Sequence, residues 1–266
     1  MAKIAVAGKG GVGKTTFASL LAYVLAERGE KVYAIDADPN PTLGVALGFP
    51  PLLLEGLAAV ADMPDLIEER TGARPGESGA YFRLNPRVDD IPSRFSVAHR
   101  GVHLLRMGSV RGAGAGCVCP ENTLLRALVS HLLLRERETV LMDMVAGLEH
   151  LGRGTAASVD VMFVVVEPGR RSVGVTNDIV HLAHDLGIPT TVAVANKVRD
   201  ERDLAFVEHG LNGVHLVGWL PMDDGVIEAD MAGTAIYDAV PEMAARVRDI
   251  LSTSGLGKSS ILVQSP

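Results

Sequence analysis

The stretch GKGGVGKTT, residues 8–16, constrains this chain more than any other. It lies directly between a short apolar run, KIAVA (residues 3–7), and a segment of helical period (residues 16–27). A glycine-rich turn that leaves a strand and opens a helix lets backbone N–H groups curl round a polyanion, and the helix start adds partial positive charge. The spacing G-x-x-x-x-G-K-[ST] is met by Gly8, Gly13, Lys14 and Thr15. In that pattern Lys14 reaches the β- and γ-phosphates of a nucleotide and the Thr15 hydroxyl serves Mg²⁺. A turn that is merely structural needs neither residue. Phosphate binding is therefore the expected role, with contacts from Gly8, Lys9, Gly10, Gly11, Val12, Gly13, Lys14, Thr15 and Thr16.

The rest of the chain alternates in a way that suits such a loop. KVYAID (31–36), TVLMDM (139–144), VDVMFVVVE (159–167), TTVAVANK (190–197) and VHLVGWL (214–220) are nearly continuous apolar runs, as expected of parallel strands buried on both faces. Residues 121–136, 173–186, 201–209 and 236–251 carry apolar side chains at three- and four-residue spacing and are expected to be helices. Together these predict an α/β fold, a doubly wound, mostly parallel sheet with helices on both faces. One domain is expected over residues 1–251, with an irregular insertion over the sheet at 50–100 and a mobile tail at 252–266. A net charge of −7 leaves no electrostatic footprint for nucleic acid. The opening MAKIAVAGKGG shows no signal peptide and no apolar run long enough to span a bilayer, so the cytosol is the expected compartment, with no membrane partner.

Three aspartates fall where ligands of open α/β sheets bind, at the C-terminal ends of strands. Asp36 and Asp38 follow the second apolar run, and Asp143 ends the run at 139–144, a position from which a carboxylate holds Mg²⁺ through water. Singly, each would serve equally as a helix cap or turn former. With the early lysine, Lys9, the loop resembles the deviant Walker A motif K-G-G-x-G-K-[ST] of the MinD/ParA group of P-loop ATPases. The resemblance implies that Lys9 reaches across a dimer to the partner's phosphates and that Asp38, followed by Pro39, orients the attacking water. It places Asp36 near the hydrated Mg²⁺ and assigns base recognition to Asn196, Lys197 and the LPMDD loop containing Pro221. Lys9, Lys14 and Asp38 are thus the expected catalytic residues.

The only two cysteines, Cys117 and Cys119, are separated by one valine in GAGAGCVCPENTLLRAL. In an extended segment both sulfurs face one side and can address one soft ion. Two thiolates leave such an ion half coordinated, whereas two copies of the chain would supply Cys₄ for Zn²⁺ or a square-planar S₄ set for Ni²⁺. An inert pair is the plain alternative. GCVCPE, GLEHLGRGT (147–155) and NPRVDDIP (85–92), with the deviant loop, resemble the CooC family of accessory ATPases for nickel insertion into carbon monoxide dehydrogenase. That resemblance implies ATP, Mg²⁺, a homodimer formed on ATP or metal binding, Ni²⁺ or a substituting Zn²⁺ on Cys117 and Cys119, and apo carbon monoxide dehydrogenase as client. Val145 stands where the family pattern has an acidic residue, while Glu149 and His150 match without a defined role. Three other readings compete. A nickel ATPase for acetyl-CoA synthase is not separable by sequence. An iron–sulfur reductase like the nitrogenase iron protein would carry its cysteines far apart. A positioning or partition module would need basic surfaces.

Overall fold

The computed structural model describes residues 2–38, 40–76, 81–108, 119–134, 138–144 and 156–254. Cys117, Val145, Gly147, Glu149, His150 and Pro39 therefore lie outside the described residues, as does the expected tail from residue 255 onward.

Eight strands form one sheet: β1 (Lys3–Gly8), β2 (Val32–Asp36), β3 (Val97–His99), β4 (Val102–Arg106), β5 (Thr139–Asp143), β6 (Val161–Val166), β7 (Thr191–Val198) and β8 (His215–Pro221), in the order β3-β4-β2-β5-β1-β6-β7-β8. Every pairing is parallel except β3 with β4. The helices include α1 (Lys14–Glu27), α2 (Leu43–Ala46), α3 (Pro51–Glu55), α4 (Pro64–Thr71), α5 (Ile91–Phe95), α6 (Pro120–Leu134), α7 (Arg170–Asp185), α8 (Glu201–Gly210), α9 (Gly225–Ala232), α10 (Ile236–Ala239) and α11 (Pro241–Thr253), with a 3-10 turn at Val60–Asp62.

Alternation along the strands builds two cores. Ile4, Val6, Ala34, Leu141 and Phe163 face α1 and α11, whereas Ala5, Ala7, Ile35, Met142 and Val164 face α4, α6 and α7. Because each strand feeds both, its run is apolar throughout, and the sheet is covered on either side as a doubly wound fold requires. Phe17 on α1 meets Phe163 on β6 with ring centroids 5.2 Å apart, and both rings are fully buried. Truncating either to alanine would cost about 3–5 kcal/mol.

Several details differ from the expectations, among them the unforeseen strand β4. Residues 50–100 are more regular than the composition suggested: they supply α3, α4, α5 and the antiparallel edge strand β3. Helix formation begins at Lys14 rather than Thr16, immediately after the left-handed Gly13. The helix expected at 236–251 divides at Val240, because Pro241 has no N–H to donate and starts a new helix, which continues to Thr253.

The parallel strands all point their C-terminal ends to one edge. That edge gathers Gly8, Asp36, Asp143, Glu167, Asn196 and Pro221.

Candidate nucleotide site

The turn between β1 and α1 is held in a shape only glycine permits at two points. Gly8 has φ 145°, and a Cβ there would lie 2.4 Å from the Val165 carbonyl oxygen. Gly13 has φ 92°, and a Cβ there would lie 2.1 Å from Asn196 Nδ2. At Gly8 the Val165 backbone leaves no room for a side chain, and at Gly13 the left-handed backbone and the Asn196 amide disfavour one, so the loop lies tight against β6 and β7. Within the turn Val12 is buried while Gly10 and Gly11 are exposed. Lys14, only 9% exposed, donates from Nζ to the Lys9 carbonyl at 3.3 Å. Thr16 opens the helix interior, its carbonyl accepting the Ser19 hydroxyl at 2.9 Å.

Beneath the loop lie the carboxylates. Thr15 Oγ1 donates to Asp143 Oδ2 at 2.7 Å, while the buried Asp143 Oδ1 has no hydrogen-bond partner among the described residues. Asp36 accepts the Leu43 N–H at 3.0 Å and the Asp38 N–H at 3.3 Å. Asp38 in turn accepts the Asn40 N–H at 2.9 Å, an Asx turn that fixes its carboxylate. Burial pushes the Asp36 carboxyl up to about 6, partly offset by those two N–H donors. Burial likewise pushes Asp143 up to about 7; the Thr15 hydroxyl pulls it down and the neighbouring Asp36 pushes it further up. An orphaned oxygen beside a hydroxyl, in a pocket that penalises uncompensated negative charge, suits a divalent cation. Thr15, Asp36 and Asp143 therefore fit Mg²⁺, and the glycine cradle fits the phosphates it accompanies.

The residues expected to read the base take up other bonds. Asn196, buried at the end of β7, donates from Nδ2 to the Val12 carbonyl at 2.8 Å. Lys197, in the left-handed region at φ 59°, donates to the Gly11 carbonyl at 2.6 Å. Both thus brace the loop from outside. Pro221 ends β8 beside Val198, and the next N–H, from Met222, goes back to the Val198 carbonyl at 3.0 Å. Sequence reasoning missed Glu167, which pairs with Lys9 at 3.3 Å and with Lys197 at 3.1 Å. A charged residue closing the apolar run VMFVVV, at the same sheet edge as Asp36 and Asp143, was the available signal.

Of the cysteine pair only Cys119 is described. It is half-buried just before α6, its carbonyl accepting the Thr123 N–H at 3.0 Å. No three His, Cys, Asp or Glu side chains converge as a metal site among the described residues. A hydrated Mg²⁺ on Thr15 and Asp143 does not require such a cluster.

Residues 3–236 match the family described as the CobQ/CobB/MinD/ParA nucleotide binding domain. Over 239 residues the chain is 48% identical to the carbon monoxide dehydrogenase accessory protein CooC of Rhodospirillum rubrum, covering 90% of each. The chain is a CooC-type member of the MinD/ParA family. A second relative of this CooC-type chain, an uncharacterized ATP-binding protein of Methanocaldococcus jannaschii, is 42% identical over 88% of the chain and 90% of its own length. Among solved structures, MinD of Pyrococcus horikoshii complexed with Mg-ADP superposes with a TM-score of 0.65 at 20% identity, over 97% of this chain and 98% of its own. That likeness concerns the fold. Membership in the MinD/ParA family, with the loop and carboxylates above, makes the CooC-type chain an ATPase.

Proposed function

We propose that this ATPase is an accessory protein of carbon monoxide dehydrogenase, dimerising with ATP and carrying nickel on Cys117 and Cys119 for insertion into the apo-enzyme. The observation that carries the reading is the 48% identity over 90% of the chain to the Rhodospirillum rubrum accessory protein. The Cys-x-Cys pair adds chemistry that nucleotide hydrolysis alone does not need. No helix among the described residues is long and apolar enough to cross a membrane.

ATP binds with its phosphates in the loop from Gly8 to Thr16, where backbone N–H groups and Lys14 hold the β- and γ-phosphates. Magnesium, when bound, neutralises charge on those phosphates, and Thr15, Asp36 and Asp143 are the residues that would hold it. Asp38 orients the attacking water. Lys9 of one chain stabilises the charge on the phosphoryl group held by the other. Asn196 and Lys197 keep the loop in shape and, with the loop at Pro221, border the base. Nickel is the cargo, and Zn²⁺ a substitute for it. One chain offers two thiolates, so a second copy completes the set.

Assembly follows from linkage. A ligand that binds only the dimer shifts the equilibrium by RT ln(1 + [L]/Kd), about 2.7 kcal/mol at a hundredfold excess over Kd. ATP and nickel each provide such a shift, and hydrolysis withdraws one of them, loosening the dimer so that the ion passes to the client. Calorimetry on the Cys117→Ser, Cys119→Ser double variant tests the cargo site: nickel binding should collapse while ATP binding survives. Unaltered nickel affinity would remove the cysteines from the account.

A further inference from the structure

Glu167 is used by nothing in the mechanism above, yet it is held at several points at the rim of the loop. Its backbone N–H donates to the Ser172 hydroxyl at 3.0 Å, and Ser172 is 1% exposed, so the base of the side chain is fixed. Two residues earlier, the Val165 carbonyl abuts Gly8 so closely that no Cβ fits between them. The carboxylate then splits its two oxygens between two lysines: Oε1 takes Lys9 Nζ at 3.3 Å and Oε2 takes Lys197 Nζ at 3.1 Å. Lys197 holds the Gly11 carbonyl with the same ammonium. Both limbs of the loop, at residues 9 and 11, are thereby tied to the end of β6.

We propose that Glu167 is a latch that holds Lys9 within its own chain until the phosphates of a partner compete for it. The inference rests on the reading that Lys9 acts across the dimer. A lysine engaged by a carboxylate of its own chain has to leave it before it can reach another. The second cation makes that departure easy, because Lys197 stays to balance Glu167 and no carboxylate is stranded. Chains without nucleotide keep Lys9 neutralised and gain nothing from it by pairing. Nucleotide-loaded chains exchange a carboxylate for a more highly charged phosphate, so nucleotide adds to whatever else favours assembly. Glu167 is a positioning residue for Lys9, and it touches no reacting atom.

Carbodiimide coupling of the full-length protein, read by peptide mass spectrometry, tests the contact directly. Without nucleotide, Glu167 should couple to both Lys9 and Lys197. In the dimer formed with Mg²⁺ and a non-hydrolysable ATP analogue, the Lys9 product should fall several-fold while the Lys197 product persists. Absence of the Lys9 product without nucleotide, or its full retention in the dimer, would overturn the latch. Glu167→Gln should tighten assembly: an ion pair of this exposure is worth about threefold, and two open per dimer, so the dissociation constant should drop about tenfold. A structural role would weaken assembly instead, and an unchanged or weaker dimer counts against the proposal. Should Glu167→Gln melt early, the coupling result on the wild-type chain decides alone. Lys9→Ala assembling with nucleotide at wild-type concentrations would overturn the trans-acting reading beneath, and the coupling result on the wild-type chain would stand apart from it.

Discussion

The two ends of the one sheet handle charge in opposite ways. At the N-terminal end of the strands, several of the described charges are paired. Lys31 pairs with Glu138 at 2.9 Å, Lys3 Nζ holds the Glu138 carbonyl at 2.8 Å, and the Lys3 N–H donates to Asp160 at 2.7 Å. Thr139, buried, donates to Glu30 and accepts the Ala2 N–H at 3.2 Å. At the C-terminal end, Asp36 and Asp143 are buried near each other, each pushed far above the usual carboxylate range. One end pairs its lysines with carboxylates and a carbonyl, whereas the other keeps carboxylates in a place where an arriving cation makes their charge welcome. The active edge is thus the less stable edge until it is loaded.

The contrast breaks if damage at the C-terminal edge acts mainly on folding. Lys14→Ala should reduce ATP turnover by about 10²–10³-fold or more, the usual effect of removing a group that stabilises transferred charge. Its urea midpoint should stay close to wild type, since Lys14 makes a single hydrogen bond to the Lys9 carbonyl. Asn196→Ala strips the Val12 carbonyl of its donor and should lower stability by about 1–3 kcal/mol in urea titration while also weakening nucleotide binding.

Asp143 sharpens the comparison through pH. Its carboxyl titrates near 7 in the folded chain against an ordinary value of 3.8, so the folded state holds the proton more tightly than the unfolded state. Metal-free stability is therefore fullest below about pH 4 for this group and declines as pH rises toward 7. Asp143→Asn should flatten that decline and stabilise the metal-free protein at pH 8 by about 1–3 kcal/mol, while abolishing magnesium-dependent stabilisation. A variant that melts lower than wild type at pH 8 would contradict the reading. At the opposite end, Lys31→Met should cost under about 1 kcal/mol, because the pair it breaks is half exposed, and ATP turnover should not change.

Much of this arrangement was legible in the sequence because the strongest signals are local. The loop from Gly8 to Thr15 announces itself by spacing, and the runs ending at Asp36 and Asp143 by their apolar length. The signals that failed depend on contacts distant along the chain. β4 lies just beyond a segment rich in proline and charge, and it becomes a strand only because β2 is there to pair with. The bonds from Asn196 and Lys197 to the Val12 and Gly11 carbonyls were not legible either, because only the fold brings the end of β7 against the loop. Glu167 is a single acidic residue, and only the fold brings it to Lys9 and Lys197, 158 and 30 residues away. Val240, which divides the final helical stretch, could have been foreseen from Pro241 alone.

The proposed nickel site is completed only by two chains. Native mass spectrometry of the full-length protein with nickel, Mg²⁺ and a non-hydrolysable ATP analogue reads mass and metal content together. Two chains carrying one nickel ion is the predicted species. A monomer under those conditions, or one nickel on every chain, would contradict it.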